Sequence, residues 1–422
     1  MKSVSRFALG VALTLGGFSV VATTPAFAKK DPPAPAAQPT AGARTYNITK
    51  EERAALAPAR TAVVAKDWAT AATLLPAAQA AAQSPDAKYV VAQFMLQIGI
   101  GTNNEAMQAQ AVDALIASGG AQPAELPNLY RNQAALALRA SPPNAQKAEA
   151  AYAKLIELTP NDPDTLVNLA KIKNDNRKPQ EAVALLDRAI DAKRAAGQPV
   201  DESWYKYGLK IAYDNRLGPQ AVKFSRGLVG AFPTKENWRD SLLVYRDFGN
   251  LDAAGKLDLL RLMRVSKALA GERDWYDYAS TVNDAGFPGE AKAVLDEGVA
   301  AHMVDPKKQA FAEILRTSTA RLAGDRASLA ADAARAMAAP TGTTALKLGD
   351  AYYGYGDYAK AIELYRAAQS KGGVDASMVQ LRLGMALAMA GNRAEAETAF
   401  RAVSGSRADL AAYWLSWLNQ RS

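Results

Sequence analysis

LGDAYYGYGDYAKAIELYRAA, residues 348–368, is answered 35 residues later by LGMALAMAGNRAEAETAFRAV, residues 383–403. The copies share a Leu-Gly start at Leu348-Gly349 and Leu383-Gly384. Large and small residues then recur at matched offsets: Tyr352 and Leu387, Gly356 and Gly391, Ala361 and Ala396, Tyr365 and Phe400, Ala368 and Val403. This period and alternation predict a helix–turn–helix unit that cannot bury its apolar face alone. Stacked copies bury it against one another, so a solenoid is expected.

The pattern extends backwards from these two copies. Ala279 follows Trp275 and Tyr278, with Gly286, Ala291 and Leu295 downstream. Gly208 follows Trp204 and Tyr207, ahead of Ala221 and Phe224. Ala170 precedes Ala182, Leu186 and Ala189, and Ala134 precedes Ala148, Tyr152, Leu155 and Pro160. Trp238, Leu242 and Tyr245 fit an intervening unit, and Phe311 and Leu315 fit the one before Gly349. Towards the N-terminus the pattern fades into Trp68, Ala71, Leu75 and Ala78, then Ala92, Met95, Ala111 and Leu115. Breakers at Ser84-Pro85-Asp86, Ser141-Pro142-Pro143-Asn144 and Pro160-Asn161-Asp162-Pro163 separate helical stretches. Asp162-Pro163 and Asp305-Pro306 each place an N-cap residue before a proline suited to the first helical position. Thr49-Lys50-Glu51-Glu52 has capping-box spacing. No window alternates like a strand.

These motifs resemble the tetratricopeptide repeat (TPR) family. The resemblance implies an all-α, right-handed α-solenoid of about ten TPR-like helix–turn–helix repeats spanning residues 49–405. Residues 406–422 carry Leu410, Tyr413, Trp414, Trp417 and Leu418 on one helical face, which reads as a C-terminal capping helix. In this family the first helix of each pair lines the concave groove. That places Tyr205, Tyr353, Met378, Leu381, Met385 and Met389 as candidate partner-binding residues. Packing under the cap is the competing reading of the methionines, because methionine fills core gaps as readily as it adapts to partners. Some family members clamp acidic C-terminal tails with lysines and asparagines on successive helices. Here Lys171 and Asn174 are followed by Tyr205, Leu209 and Tyr213, so that clamp is not reproduced.

The first 28 residues read as a cleaved secretory signal. Lys2 and Arg6 precede an apolar run from Phe7 to Val21, and Ala26-Phe27-Ala28 offers a small-x-small cleavage site. The run is short for a bilayer span of about 20 residues. No later segment is apolar enough to span a membrane, so a soluble periplasmic protein is expected. Residues 29–48 begin as a Pro/Ala-rich stretch and read as a disordered tether. The formal charge of +8 falls to +6 once Lys2 and Arg6 are removed. This excess suits contact with an anionic envelope polymer. Its dispersal gives no sign of nucleic-acid binding.

The chemistry-bearing motifs are few. Cysteine is absent, which excludes disulfides, thiolate metal sites, cysteine nucleophiles and a lipid-attachment cysteine. The one histidine, His302, lies at a predicted helix end, where it can cap carbonyls. Neither a metal nor a cofactor is implied. No phosphate-binding glycine loop or Gly-x-Ser-x-Gly elbow is present. Glu202-Ser203 superficially matches the catalytic dipeptide of lytic transglycosylases, but it runs into a repeat helix and lacks the Gly-Leu-Met-Gln stretch that follows in those enzymes. Arg261, Arg264 and Lys267 form a basic stripe expected on a solvated helix face. The function expected is a non-enzymatic protein–protein interaction scaffold of the bacterial cell envelope, holding a protein or peptide in its groove. The alternative is an envelope polysaccharide or peptidoglycan binder. A third reading, hydrolysis, would require two facing carboxylates in that groove.

Overall fold

A computed structural model describes residues 44–421 of the chain. Among these residues every regular element is helical, and the chain divides into two compact units, Met1–Asn176 and Arg177–Ser422. The signal-peptide reading and most of the tether lie outside the described residues.

Unit 1 contains α1 (Lys50–Val64), α2 (Trp68–Ala81), α3 (Pro85–Gly101), α4 (Glu105–Ala117), α5 (Leu126–Arg139), α6 (Ala145–Leu158) and α7 (Pro163–Asp175). Its core runs from Ile48 to Leu136 and is rich in alanine and aliphatic side chains. Thr49 does close a capping box. Its hydroxyl accepts from Glu52 N–H at 3.1 Å, and Glu52 accepts from Thr49 N–H at 3.0 Å. The same carboxylate accepts from Gln83 N–H and Ser84 N–H at 2.8 and 2.7 Å, tying the start of α1 to the α2–α3 turn. The last residues of the composition-based tether are packed. The Arg44 guanidinium lies over the Tyr89 ring at 4.3 Å and pairs with Asp86 and Glu125. Two carboxylates and a ring within reach make residues 44–48 part of the folded unit.

Unit 2 contains α8 (Pro179–Ala195), α9 (Glu202–Asp214), α10 (Gly218–Ala231), α11 (Lys235–Phe248), α12 (Ala253–Val265), α13 (Gly271–Asp284), α14 (Pro288–Ala300), α15 (Gln309–Ala338), α16 (Thr343–Gly354), α17 (Tyr358–Lys371), α18 (Ala376–Met389), α19 (Arg393–Arg401) and α20 (Ala408–Asn419). The repeat's glycines work by close approach. A Cβ on Gly208 would sit 2.5 Å from Phe224, on Gly349 2.6 Å from Tyr365, and on Gly384 2.7 Å from Phe400. The partner ring is always sixteen residues on, so a bare backbone in the first helix receives the ring of the second.

The turns between paired helices also repeat. Gly356 and Gly391 have positive φ, and the next residue's N–H reaches back to the helix, from Asp357 to Tyr352 and from Asn392 to Leu387. This is the Schellman closure. Lys66, Asn103, Arg216 and Lys267 take the same position without glycine.

Two sequence expectations fail here. α15 is one continuous 30-residue helix where a helical pair was expected. Gly324 is its only glycine, and a single glycine costs about 1 kcal/mol, too little to end a helix by itself. Asp305-Pro306 does not open α15. The helix begins at Gln309, and Asp305 instead accepts from Lys307 N–H in a turn.

α20 stacks Trp414 on Phe400 with ring centroids 5.8 Å apart, so it covers the last repeat as a cap should. It also reaches much earlier helices of unit 2. Tyr413 meets Ser225 of α10 at 2.5 Å, Arg226 pairs with Asp409 at 2.6 Å, and Trp417 donates to the Val265 carbonyl of α12 at 3.1 Å. Gln420 accepts from Trp238 of α11 and donates to the Val229 carbonyl. The C-terminal helix therefore fills space inside unit 2 that an open groove would leave for a partner.

Candidate functional site

Four of the six expected groove residues belong to the core. Leu381 and Met385 have no exposed surface, Tyr205 is 2% exposed and Tyr353 is 7% exposed. Nearly every residue from Val379 to Ala388 is buried, so α18 has no free face in this stretch. Met378 and Met389 are half-buried. The structure brings Tyr353 and Met389 to one cleft and places Tyr205 at another, beside Arg194, Lys223 and Arg226.

The floor of the first cleft is an ionic lock that sequence reasoning missed. Arg261, expected on a solvated face, is 1% exposed. Its Nε and Nη2 donate to the two oxygens of Glu290 at 2.9 and 2.7 Å, and its Nη1 donates to Asp350 at 3.2 Å. Arg382 donates to Asp350 at 2.6 Å and to Asp258 at 2.9 Å. Tyr278 and Tyr365 donate to Glu290 and Asp350 at 2.7 and 2.8 Å. The lock joins α12, α13, α14, α16, α17 and α18. Burial works to raise the Glu290 carboxyl, but the Arg261 guanidinium outweighs it and holds the group below its ordinary value. For Asp258 burial wins over Arg382 and Arg261, and the group is raised. Its Oδ2 has no hydrogen-bond partner.

Buried carboxylates thus stand near one another, as the hydrolytic reading required. Each is bonded to a guanidinium, and all three are nearly or wholly inaccessible. Such an arrangement neutralises charge between helices, with every carboxylate of the lock engaged by an arginine. Glu202 is likewise unsuited to proton donation. A hydrogen bond from Asn237 and another from Lys206 keep its carboxyl low. His302 takes a left-handed conformation just past α14, and its N–H caps the Val299 carbonyl at 3.0 Å. No cluster able to hold a metal occurs among the described residues.

Above the lock the cleft encloses about 650 Å³. Its walls come from α12, α13, α14, α16, the α16–α17 turn, the start of α17, α18 and α20. Arg264 gives its Nε to Glu297 at 2.6 Å. Arg421 lies over the Trp417 ring at 4.6 Å. Tyr355 donates to Asp325 of α15 at 2.6 Å, which fixes one wall. No helix among the described residues is long and apolar enough to cross a membrane.

The small-residue–ring pairs, Schellman turns and consecutive helix pairs make this an all-α, TPR-like repeat protein. No protein-family model and no curated protein matches the chain. Among solved structures, a tetratricopeptide repeat protein from Parabacteroides merdae is similar at 11% identity, over 64% of this chain and 100% of that one, with a TM-score of 0.30. The Naa15/Naa10 structure bound to HypK-THB is similar at 14% identity, over 79% of this chain and 55% of that one, with a TM-score of 0.36. The TPR domain of P58(IPK) is similar at 10% identity, over 79% and 99%, with a TM-score of 0.23. Likeness at this level says nothing about partners.

Proposed function

We propose that this protein is a non-enzymatic protein-interaction scaffold of the bacterial cell envelope, carried to the periplasm by its N-terminal signal. Its docking surface is the cleft between α12, α14, α16 and α20, in place of the methionine-lined groove that the sequence suggested. The carrying observation is that this cleft is open, aromatic and cationic, while the carboxylates beneath it are locked by arginines. TPR-like helix pairs supply a rigid frame for such a surface. The signal-peptide pattern of residues 1–28 supports export.

Photoreactive residues placed in cells at Met389 and Tyr358, which line the cleft, test the proposal. A discrete protein adduct is expected from both positions, and none from Val64 or Met337, which are exposed elsewhere. Adducts from the control positions alone, or from none of the four, would overturn it.

A further inference from the structure

The cleft's unused chemistry indicates what kind of segment docks there. Its lining carries four cations, Arg261, Arg264, Lys267 and Arg421, against two carboxylates, Glu290 and Glu297. Arg261 and Glu290 satisfy each other in the floor, and Arg264 is paired with Glu297. Lys267 and Arg421 are both exposed and form no ion pair among the described residues. The free charge of the cleft is therefore positive and lies at its open edge.

Apart from the Tyr353 and Tyr358 hydroxyls, the rest of the lining is apolar or already engaged. Tyr278 and Tyr355 spend their hydroxyls on Glu290 and Asp325. Met389, Val265 and the half-buried ring of Tyr358 offer apolar surface. Among the described residues no Asn, Gln, Ser, Thr or His lines the cleft. A sugar takes several directed partners for its hydroxyls, and among the described residues the only unengaged neutral side-chain groups of this lining are the Tyr353 and Tyr358 hydroxyls. Carboxylates beside an aromatic or long apolar side chain match it better, through charge complementarity at the rim and burial within. Its volume lies in the range of specific clefts, about 300–1,000 Å³.

We propose that the cleft binds an acidic peptide segment of a partner protein, its carboxylates meeting Lys267 and Arg421 and an aromatic or apolar side chain lying against Met389 and Tyr358. This rests on the scaffold reading and goes one step beyond it. The site is built partly from the chain's own last helix.

A random peptide library displayed on phage, selected on the full chain, tests the proposal. Selected peptides should be rich in Asp and Glu and carry an aromatic or large apolar residue. A synthetic copy should bind more weakly as salt rises and lose at least about tenfold in affinity to the Lys267→Glu/Arg421→Glu double variant. The variant's circular dichroism should stay unchanged and its melting temperature should fall by no more than a few degrees, because both residues are exposed, neither forms an ion pair among the described residues, and only the Arg421–Trp417 ring contact is lost. Selection of basic or neutral peptides, no enrichment, or binding that ignores the double reversal would overturn the proposal. So would co-sedimentation with purified peptidoglycan sacculi that the same reversal abolishes, which would assign the cleft to a glycan. If only the acidic specificity is wrong, photocrosslinking from Met389 still captures a protein; if the scaffold reading is wrong, it captures none.

Discussion

Met385 has no solvent contact, and a glutamate there would be an unpaired charge in a packed core. Met385→Glu should destabilise unit 2 by about 4 kcal/mol or more, measured by urea unfolding. Near-normal stability would return Met385 to the surface. The sequence misled at this position for a physical reason. Helical periodicity identifies a buried face only where another face is wet, and a helix apolar on most sides is covered on most sides. α18 is such a helix, so Leu381 and Met385 could not be told from groove residues by spacing. Arg261 misled in the opposite way, since a charged side chain is read as exposed unless its partners are known. Glu290 and Asp350 lie 29 and 89 residues away, beyond any local pattern. Two carboxyls should give pH effects of opposite sign. Glu52 is lowered from 4.5 to about 2, chiefly by the Ser84 and Thr49 N–H groups. Its stabilisation is present above the ordinary glutamate value and lost as pH falls towards 2. Asp258 is raised, so the folded state keeps its proton longer than the unfolded chain. Stability then falls as pH rises from the ordinary aspartate value through the raised one. In urea titrations across pH, Glu52→Gln should flatten the acid-side loss and Asp258→Asn should remove the decline on the other side. Unchanged profiles would contradict both assignments.

Among the elements, the glycine–ring pairs were the legible part. Gly349, Gly384 and Gly208 stand where the second helix's ring enters. Gly384→Val would press its side chain into Phe400 and should cost about 1–3 kcal/mol, read as a lowered melting temperature. A neutral result would mean the helices are not that close. The N-terminal repeats were harder to read because their turns carry Lys66 and Asn103 where the last repeats carry Gly356 and Gly391. The conformation is shared, and the residue that advertises it is not. α15 was missed because nothing in its composition distinguishes a long helix from two short ones joined by an unmarked turn. α20 was legible as an apolar helix, and its cap role was visible in that face. Its contacts with α10, α11 and α12 were not, because sequence spacing carries no information about pairs some 150–190 residues apart.

For the molecule as a whole, the all-α repeat architecture was readable from its last two copies, while the proposed docking surface was not. The surface depends on which faces the fold leaves uncovered after α20 has returned into unit 2. The proposed export has its own test. Mass spectrometry of protein from a periplasmic fraction should find Lys29 at the N-terminus, and an intact Met1 form confined to the cytoplasm would contradict it. α20 is an inner element of unit 2, where it fills the expected groove and builds one wall of the cleft beside it. Amide hydrogen exchange of the full chain measures this directly. The amides of Leu410–Leu418 should exchange as slowly as those of α12 and α18. Exchange there as fast as in a frayed terminus would show the groove open and the cleft unformed.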